Sequence, residues 1–288
     1  MRRMTLATLT PALSLILIGG LVAARPARAE SGDAASMMKE HKHDAPTATP
    51  AVKVEPRVPV DAKEVTYATV GGKPVKGYLA RPQGAKGPLP GLIVIHEWWG
   101  LNDNVRAMAR RLAGEGYAAL AVDLYAGKTA ADPEAAMKLM QAASDNEAPG
   151  IANVKGAYDY LTKDQKAPKV GTVGWCFGGG WSLKTALALP DKVNATVMYY
   201  GQVVTDPKKL APLQMPILGN FAGEDKGITP ANVKAFEQAL KDGGKSVDIK
   251  IYEGANHAFA NASGKAYKAD AADDAWKRTV DFFAKNLK

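Results

Sequence analysis

Cys176 is the only cysteine in the 288-residue chain, and it stands in Gly174-Trp175-Cys176-Phe177-Gly178-Gly179-Gly180, between a predicted strand and a predicted helix. A thiolate is a strong nucleophile, and a helix N-terminus directly beyond it favours negative charge, which suits both the thiolate and a developing oxyanion. Glycines on either side permit the tight strand-to-helix turn that lifts a nucleophile into a cleft. A lone cysteine elsewhere is ordinarily a small buried hydrophobe. Strand, glycine spacing and helix together point instead to a nucleophile elbow.

A thiol needs a base, and the chain has four histidines. His41 and His43 fall in a polar N-terminal stretch, which leaves His96 and His257. His257 lies in Glu253-Gly254-Ala255-Asn256-His257-Ala258-Phe259, after the last predicted strand, where a loop can carry imidazole over the sheet edge. His96 ends an earlier strand and reads as structural. The acid that holds the imidazole in one tautomer and stabilises the imidazolium is Asp225, in Phe221-Ala222-Gly223-Glu224-Asp225, with Glu224 beside it as competitor. Nucleophile, acid, histidine is then the order along the chain. An oxyanion hole is expected from two backbone N–H groups, one on Phe177 after the nucleophile and one on Trp98, in the early loop Ile95-His96-Glu97-Trp98-Trp99-Gly100. Trp98 and Trp99 line an apolar pocket or pack in the core.

Alternating strands and helices must position these residues. Val65–Val70 and Val75–Ala80 flank Gly71-Gly72 and read as an antiparallel hairpin. Short apolar runs at Leu92–His96, Ala118–Val122, Val170–Gly174, Ala195–Tyr200, Pro216–Phe221 and Val247–Tyr252 read as further strands, mostly covered on both faces. Helical stretches separate them: one capped at Asn102 or Asp103, others at Pro133–Ala143 and Ile151–Leu161, one ended by Pro190, and two more near Pro230–Lys241 and Ala266–Asn286. This alternation predicts an α/β fold, a mostly parallel sheet wrapped by helices, with ligands beyond the carboxyl ends of the strands.

The composition, 47% hydrophobic and 23% charged, fits one globular domain, expected over about 63–288. The net charge of +8 owes four units to Arg2, Arg3, Arg25 and Arg28, within a 29-residue opening that contains no acid; the remaining +4 is spread through mixed-sign sequence. Nucleic-acid binding is therefore not expected. Arg2-Arg3, an apolar stretch over 6–24 and Ala27-Arg28-Ala29 have the order of a secretory signal, cleaved after Ala29. A retained anchor is the competing reading. The expected destination is the periplasm or the exterior, with no membrane attachment after cleavage. Residues 30–62 read as a flexible linker; Met37, Met38, His41 and His43 within it have the chemistry of soft-cation ligands, against the plainer reading of a solvated tether.

With these residues in place, the chain resembles the dienelactone hydrolase family from about Val65 onward. The likeness rests on Val94-Ile95-His96-Glu97-Trp98-Trp99-Gly100-Leu101-Asn102, Asp123-Leu124-Tyr125-Ala126, the Cys176 elbow, Gly223-Glu224-Asp225 and His257-Ala258-Phe259. It implies the α/β-hydrolase fold, a Cys176-His257-Asp225 triad, Glu97 hydrogen-bonding the resting thiol and taking part in its activation, and a substrate pocket that includes Trp99 and Tyr125. The implied reaction is hydrolysis of a small ester or lactone, of dienelactone type, through an acyl-enzyme, with no metal, no cofactor and a monomeric enzyme. The enzyme that gave the family its name grips its substrate's carboxylate with two arginines. Here Gly127 and Lys128 follow the first motif and Asn261 stands near the second position, and arginine's bidentate fork has no equal in lysine. Competing functions are a non-catalytic small-molecule-binding module on the same fold, thiol–disulfide exchange, for which no resolving cysteine exists, and dehalogenase or peptidase chemistry.

Overall fold

The computed structural model describes Met1, His41, Lys42, Pro46 and residues 54–288. The signal-like opening, its cleavage point, Met37, Met38 and His43 lie outside the described residues.

Eight strands form one sheet in the order β1-β2-β4-β3-β5-β6-β7-β8. They are β1 (Val60–Val70), β2 (Lys73–Pro82), β3 (Gly91–Ile95), β4 (Ala118–Val122), β5 (Val170–Trp175), β6 (Ala195–Tyr199), β7 (Ile217–Ala222) and β8 (Val247–Tyr252). β2 pairs antiparallel with both β1 and β4, and every other pairing is parallel. The hairpin is longer than the alternating runs alone indicate, its register extending from Val70 opposite Lys73 to Val60 opposite Pro82.

Helices α1 (Asp103–Gly114), α2 (Pro133–Asp145), α3 (Ala148–Asp159), α4 (Phe177–Ala188), α5 (Pro207–Leu210), α6 (Pro230–Asp242) and α7 (Ala269–Leu287) connect and cover the strands. Their starts follow local chemistry: Asn102, Asp132 and Thr229 each cap a helix by accepting an N–H three residues on. A π-helical turn over Tyr160–Asp164 finishes α3 where a continuous helix to Leu161 is expected.

β3 to β7 are buried at every position, as parallel strands covered on both faces must be. The edge strand β8 instead alternates half-buried Val247, Ile249 and Ile251 with exposed Asp248 and Lys250. The larger core surrounds β2 to β6, and a second cluster forms where Val233, Phe236 and Leu240 of α6 meet Met198, Ile217 and Phe221. Each fully buried aliphatic side chain in these layers contributes about 1.5–3 kcal/mol, so the strand ends above them are held rigidly. No helix among the described residues is long and apolar enough to cross a membrane.

Candidate active site

β5 ends at Trp175 and α4 begins at Phe177, leaving Cys176 alone in the turn with φ 54° and ψ −119°. That backbone region costs a non-glycine residue on the order of 1–3 kcal/mol, and it is held here by surrounding hydrogen bonds. The Cys176 N–H donates to the Tyr199 carbonyl at 3.0 Å, while its own carbonyl accepts from Gly179 at 2.9 Å and Gly180 at 3.2 Å. Gly178 lets α4 start directly behind β3, because a Cβ at that position would press on the Ile95 carbonyl and lie 2.5 Å from that of His96. Cys176 is buried, 6% exposed, at the N-terminal end of α4.

His257 lies in the loop after β8 and Asp225 in the turn after β7, the neighbouring strand. His257 Nδ1 and Asp225 Oδ2 are 2.7 Å apart, and both side chains are buried. The second Asp225 oxygen accepts the N–H groups of Gly227 at 2.9 Å and Ile228 at 2.8 Å, which fixes the carboxylate plane. Burial alone would raise the Asp225 pKa, but hydrogen bonding and charge from His257, with the two backbone N–H groups, bring it below the usual aspartate value. Glu224, the sequence competitor, points to solvent.

His257 experiences the converse balance. Burial opposes its charged form, yet the charge of the adjacent Cys176 sulfur and the hydrogen bond to Asp225 outweigh that, raising its pKa well above 6.5. Its Nε2 is buried and, among the described residues, faces no well-formed hydrogen-bond partner other than the neighbouring Cys176. Cys176, His257 and Asp225, separated by up to 81 positions in the chain, thus follow the carboxyl ends of β5, β8 and β7, with His257 in contact with Asp225 and its charged form favoured by Cys176.

His96 is structural. Its Nδ1 lies 2.6 Å from the Glu97 carbonyl and its Nε2 accepts the Leu124 N–H at 3.1 Å, which ties the end of β3 to the loop after β4. Burial holds its pKa below 6.5. In that loop Asp123 accepts the N–H of Tyr125 at 2.8 Å and also that of Gly127. Tyr125 is thereby seated against His96 and Phe177, ring centroids 4.6 and 5.3 Å away. Burial and the Cys176 charge push its phenol far above the ordinary tyrosine range. Trp98 and Trp99 are both buried and pack edge to face at 5.0 Å, serving as core as well as wall.

Glu97 accepts a hydrogen bond from Asn261 Nδ2 at 2.7 Å, and Asn261 Oδ1 in turn accepts from Ser263 N and Oγ. Glu97 and Asn261 line a narrow cleft with Trp175 and Tyr200, and no lysine or arginine is among the described lining residues. Among the described residues no group of three or more His, Cys, Asp and Glu side chains could hold a metal ion.

Two site residues escape sequence reasoning. Tyr200, fully buried with φ 35°, packs against His257 at 5.2 Å, and burial together with the Glu97 and Cys176 charges raises its pKa well above 10.0. Its signal is faint, an aromatic residue at a strand end before Gly201. The other is His41. Expected in a solvated linker, it is 5% exposed and packs edge-on against Trp98 at 5.6 Å and His257 at 5.2 Å.

A model of the dienelactone hydrolase family matches residues 75–287. "Putative carboxymethylenebutenolidase" of Saccharolobus solfataricus is 32% identical over 257 residues, 76% of this chain and 97% of that protein. "Protein usf" of Aquifex pyrophilus is 35% identical over 223 residues, 75% of this chain and 95% of that protein. Among solved structures, one described as a putative dienelactone hydrolase from Klebsiella pneumoniae is 28% identical with a TM-score of 0.72, covering 79% of this chain and 99% of that one. A dienelactone hydrolase-like promiscuous phosphotriesterase from metagenomic libraries is 25% identical with a TM-score of 0.72, covering 80% and 99%.

Proposed function

Because the chain belongs to the dienelactone hydrolase family and is a carboxylic ester hydrolase acting on small esters or lactones, we propose that it works through a Cys176-His257-Asp225 triad and a covalent acyl-enzyme. The single observation that carries this reading is the buried 2.7 Å contact between His257 Nδ1 and Asp225 Oδ2, beside a cysteine held in a positive-φ elbow. His257 takes the thiol proton, and the sulfur adds to the substrate carbonyl carbon. The carbonyl oxygen becomes an oxyanion that accepts hydrogen bonds from the N–H groups of Phe177 and Trp98. Phe177 opens α4, where the first N–H groups have no partner within the helix; such a donor contributes about 3–4 kcal/mol in the transition state.

Collapse of that intermediate expels the alkoxide, which takes the proton from His257 and leaves a thioester on Cys176. Water then gives a proton to His257 and attacks the thioester carbonyl, releasing the acid and the Cys176 thiolate. In a lactone, the expelled alkoxide stays on the acyl chain, so ring opening yields one product molecule. To Glu97, restrained by Asn261, we assign the steering of the resting thiol. Its carboxylate, in a cleft without lysine or arginine among the described lining residues, favours a neutral ester or lactone over one that presents a carboxylate there.

We further propose that residues 1–29 are an export signal, that the catalytic domain follows a linker, and that the mature enzyme acts as a monomer in the periplasm or exterior. The mass and N-terminal sequence of protein recovered from the producing cell test the first point, an N-terminus at Glu30 being the expected result. Mass spectrometry after brief exposure to p-nitrophenyl acetate tests the mechanism. An acetyl adduct on Cys176 with steady nitrophenol release supports it; no adduct and no release would identify a binding module instead.

A further inference from the structure

We propose that His41, carried on the N-terminal tail, is a specificity-determining residue that roofs the reaction centre and limits the bulk an ester can present between Trp98 and His257. A solvated tether would leave its histidines in water, whereas the His41 side chain is buried, 5% exposed. Its ring meets both Trp98 and His257 edge-on, at an interplanar angle of 66° in each case. His257 is the proposed base for Cys176 and Trp98 a proposed oxyanion donor, so the reacting carbonyl is assigned to the space they share. A substituent leaving that place between them therefore meets the His41 imidazole.

A group that extends past Trp98 and His257 meets the His41 ring, whereas a small acyl group or a lactone ring need not reach it, so His41 sorts substrates by size.

This inference rests on the proposed catalytic role of Cys176, but its first test does not. Because Cys176 is the only cysteine in the chain, its alkylation reports access to the site whether or not an ester turns over. The purified protein, His41→Ala and a variant lacking residues 38–45 are each treated with iodoacetamide and with a pyrenyl maleimide, circular dichroism verifying the fold. Loss of the His41 ring is expected to speed the bulky reagent by about ten-fold, equivalent to roughly 1.4 kcal/mol of relieved crowding, and to change the small reagent little. The kcat/KM ratio of p-nitrophenyl octanoate to p-nitrophenyl acetate should rise in parallel. Equal rates for both reagents in all three proteins, or an unchanged ester ratio, would overturn the roof. Size-selective alkylation without acetate hydrolysis would instead uphold the roof and sink the catalytic reading.

Discussion

Replacing Asp225 by Asn changes one atom and tests the proposed triad with little disturbance of the fold. Asp225 Oδ1 accepts two backbone N–H groups, at 2.9 and 2.8 Å, from Gly227 and Ile228. An asparagine can keep both with its carbonyl oxygen, which turns its NH2 group toward His257 Nδ1. That nitrogen must then accept, so the imidazole proton moves to Nε2, the atom that should receive the thiol proton. The imidazolium also loses the carboxylate that stabilises it. In a hydrolase triad this error costs about 10⁴-fold in kcat, equivalent to roughly 5.5 kcal/mol. A thiol ionises more readily than a hydroxyl, so a loss of about 10³- to 10⁴-fold in kcat/KM is expected here. Folding should suffer less, by about 1–3 kcal/mol for the charge-assisted hydrogen bond. Initial rates with p-nitrophenyl acetate and thermal melts on the same samples separate the two effects. Activity within ten-fold of wild type in a normally folded Asp225→Asn protein would refute the assigned role.

Three further outcomes follow from the geometry. Tyr125→Phe removes a buried hydroxyl that has no hydrogen-bond partner among the described residues, so Tm should hold or rise slightly; if that hydroxyl serves bound substrate, KM rises by about five-fold, the worth of one hydrogen bond, and an unchanged KM confines Tyr125 to packing. Gly178→Ala drives a methyl group into the Ile95 and His96 carbonyls, which as backbone cannot move aside, and a loss of about 1–3 kcal/mol or more should appear as a fall in Tm; a melt matching wild type would contradict the close approach of α4 to β3. Stability should decline on both sides of neutrality. The raised His257 pKa contributes stability below 6.5 that is lost as pH rises through the folded value, whereas the lowered pKa values of His96 and Asp225 contribute stability above 6.5 and 3.8 respectively that is lost as pH falls. Melts of wild type and His257→Gln across this range should converge toward alkaline pH, and parallel curves there would remove His257 as the cause.

The sequence shows most clearly what depends on short windows. Ala118–Val122 and Val247–Tyr252 fall where the apolar runs place them, because strand pattern and strand burial are the same physical fact. Cys176, Asp225 and His257 are visible for a related reason: each sits soon after a strand, in a recognisable local motif. Residues 60–64 of β1 escape notice because they are mostly exposed and join the sheet chiefly through backbone pairing and surface contacts such as Glu64 with Lys76. The four-residue α5 is too short for a periodic signal. Asn261 is visible only as a missing arginine, and its tie to Glu97 spans 164 positions.

Tyr200 and His41 mark the limit of that reading. The end of β6 crosses α4 so closely that a Cβ on Gly179 would lie 2.5 Å from the Tyr199 carbonyl and 2.9 Å from the Gly201 Cα. Two glycines facing each other allow this contact, and the chain between β6 and Gly201 turns through Tyr200 at φ 35°, within ring contact of His257. Neither glycine reveals its partner in sequence, although Gly-Gly-Gly opening a helix is a costly choice that only a close backbone approach explains. His41 lacks even that trace, since its stretch is polar, without period and far from every catalytic motif. Its burial draws on surfaces that Trp98 and His257 present after the sheet has formed, so the same residue can read as linker in the sequence and stand against His257 in the fold.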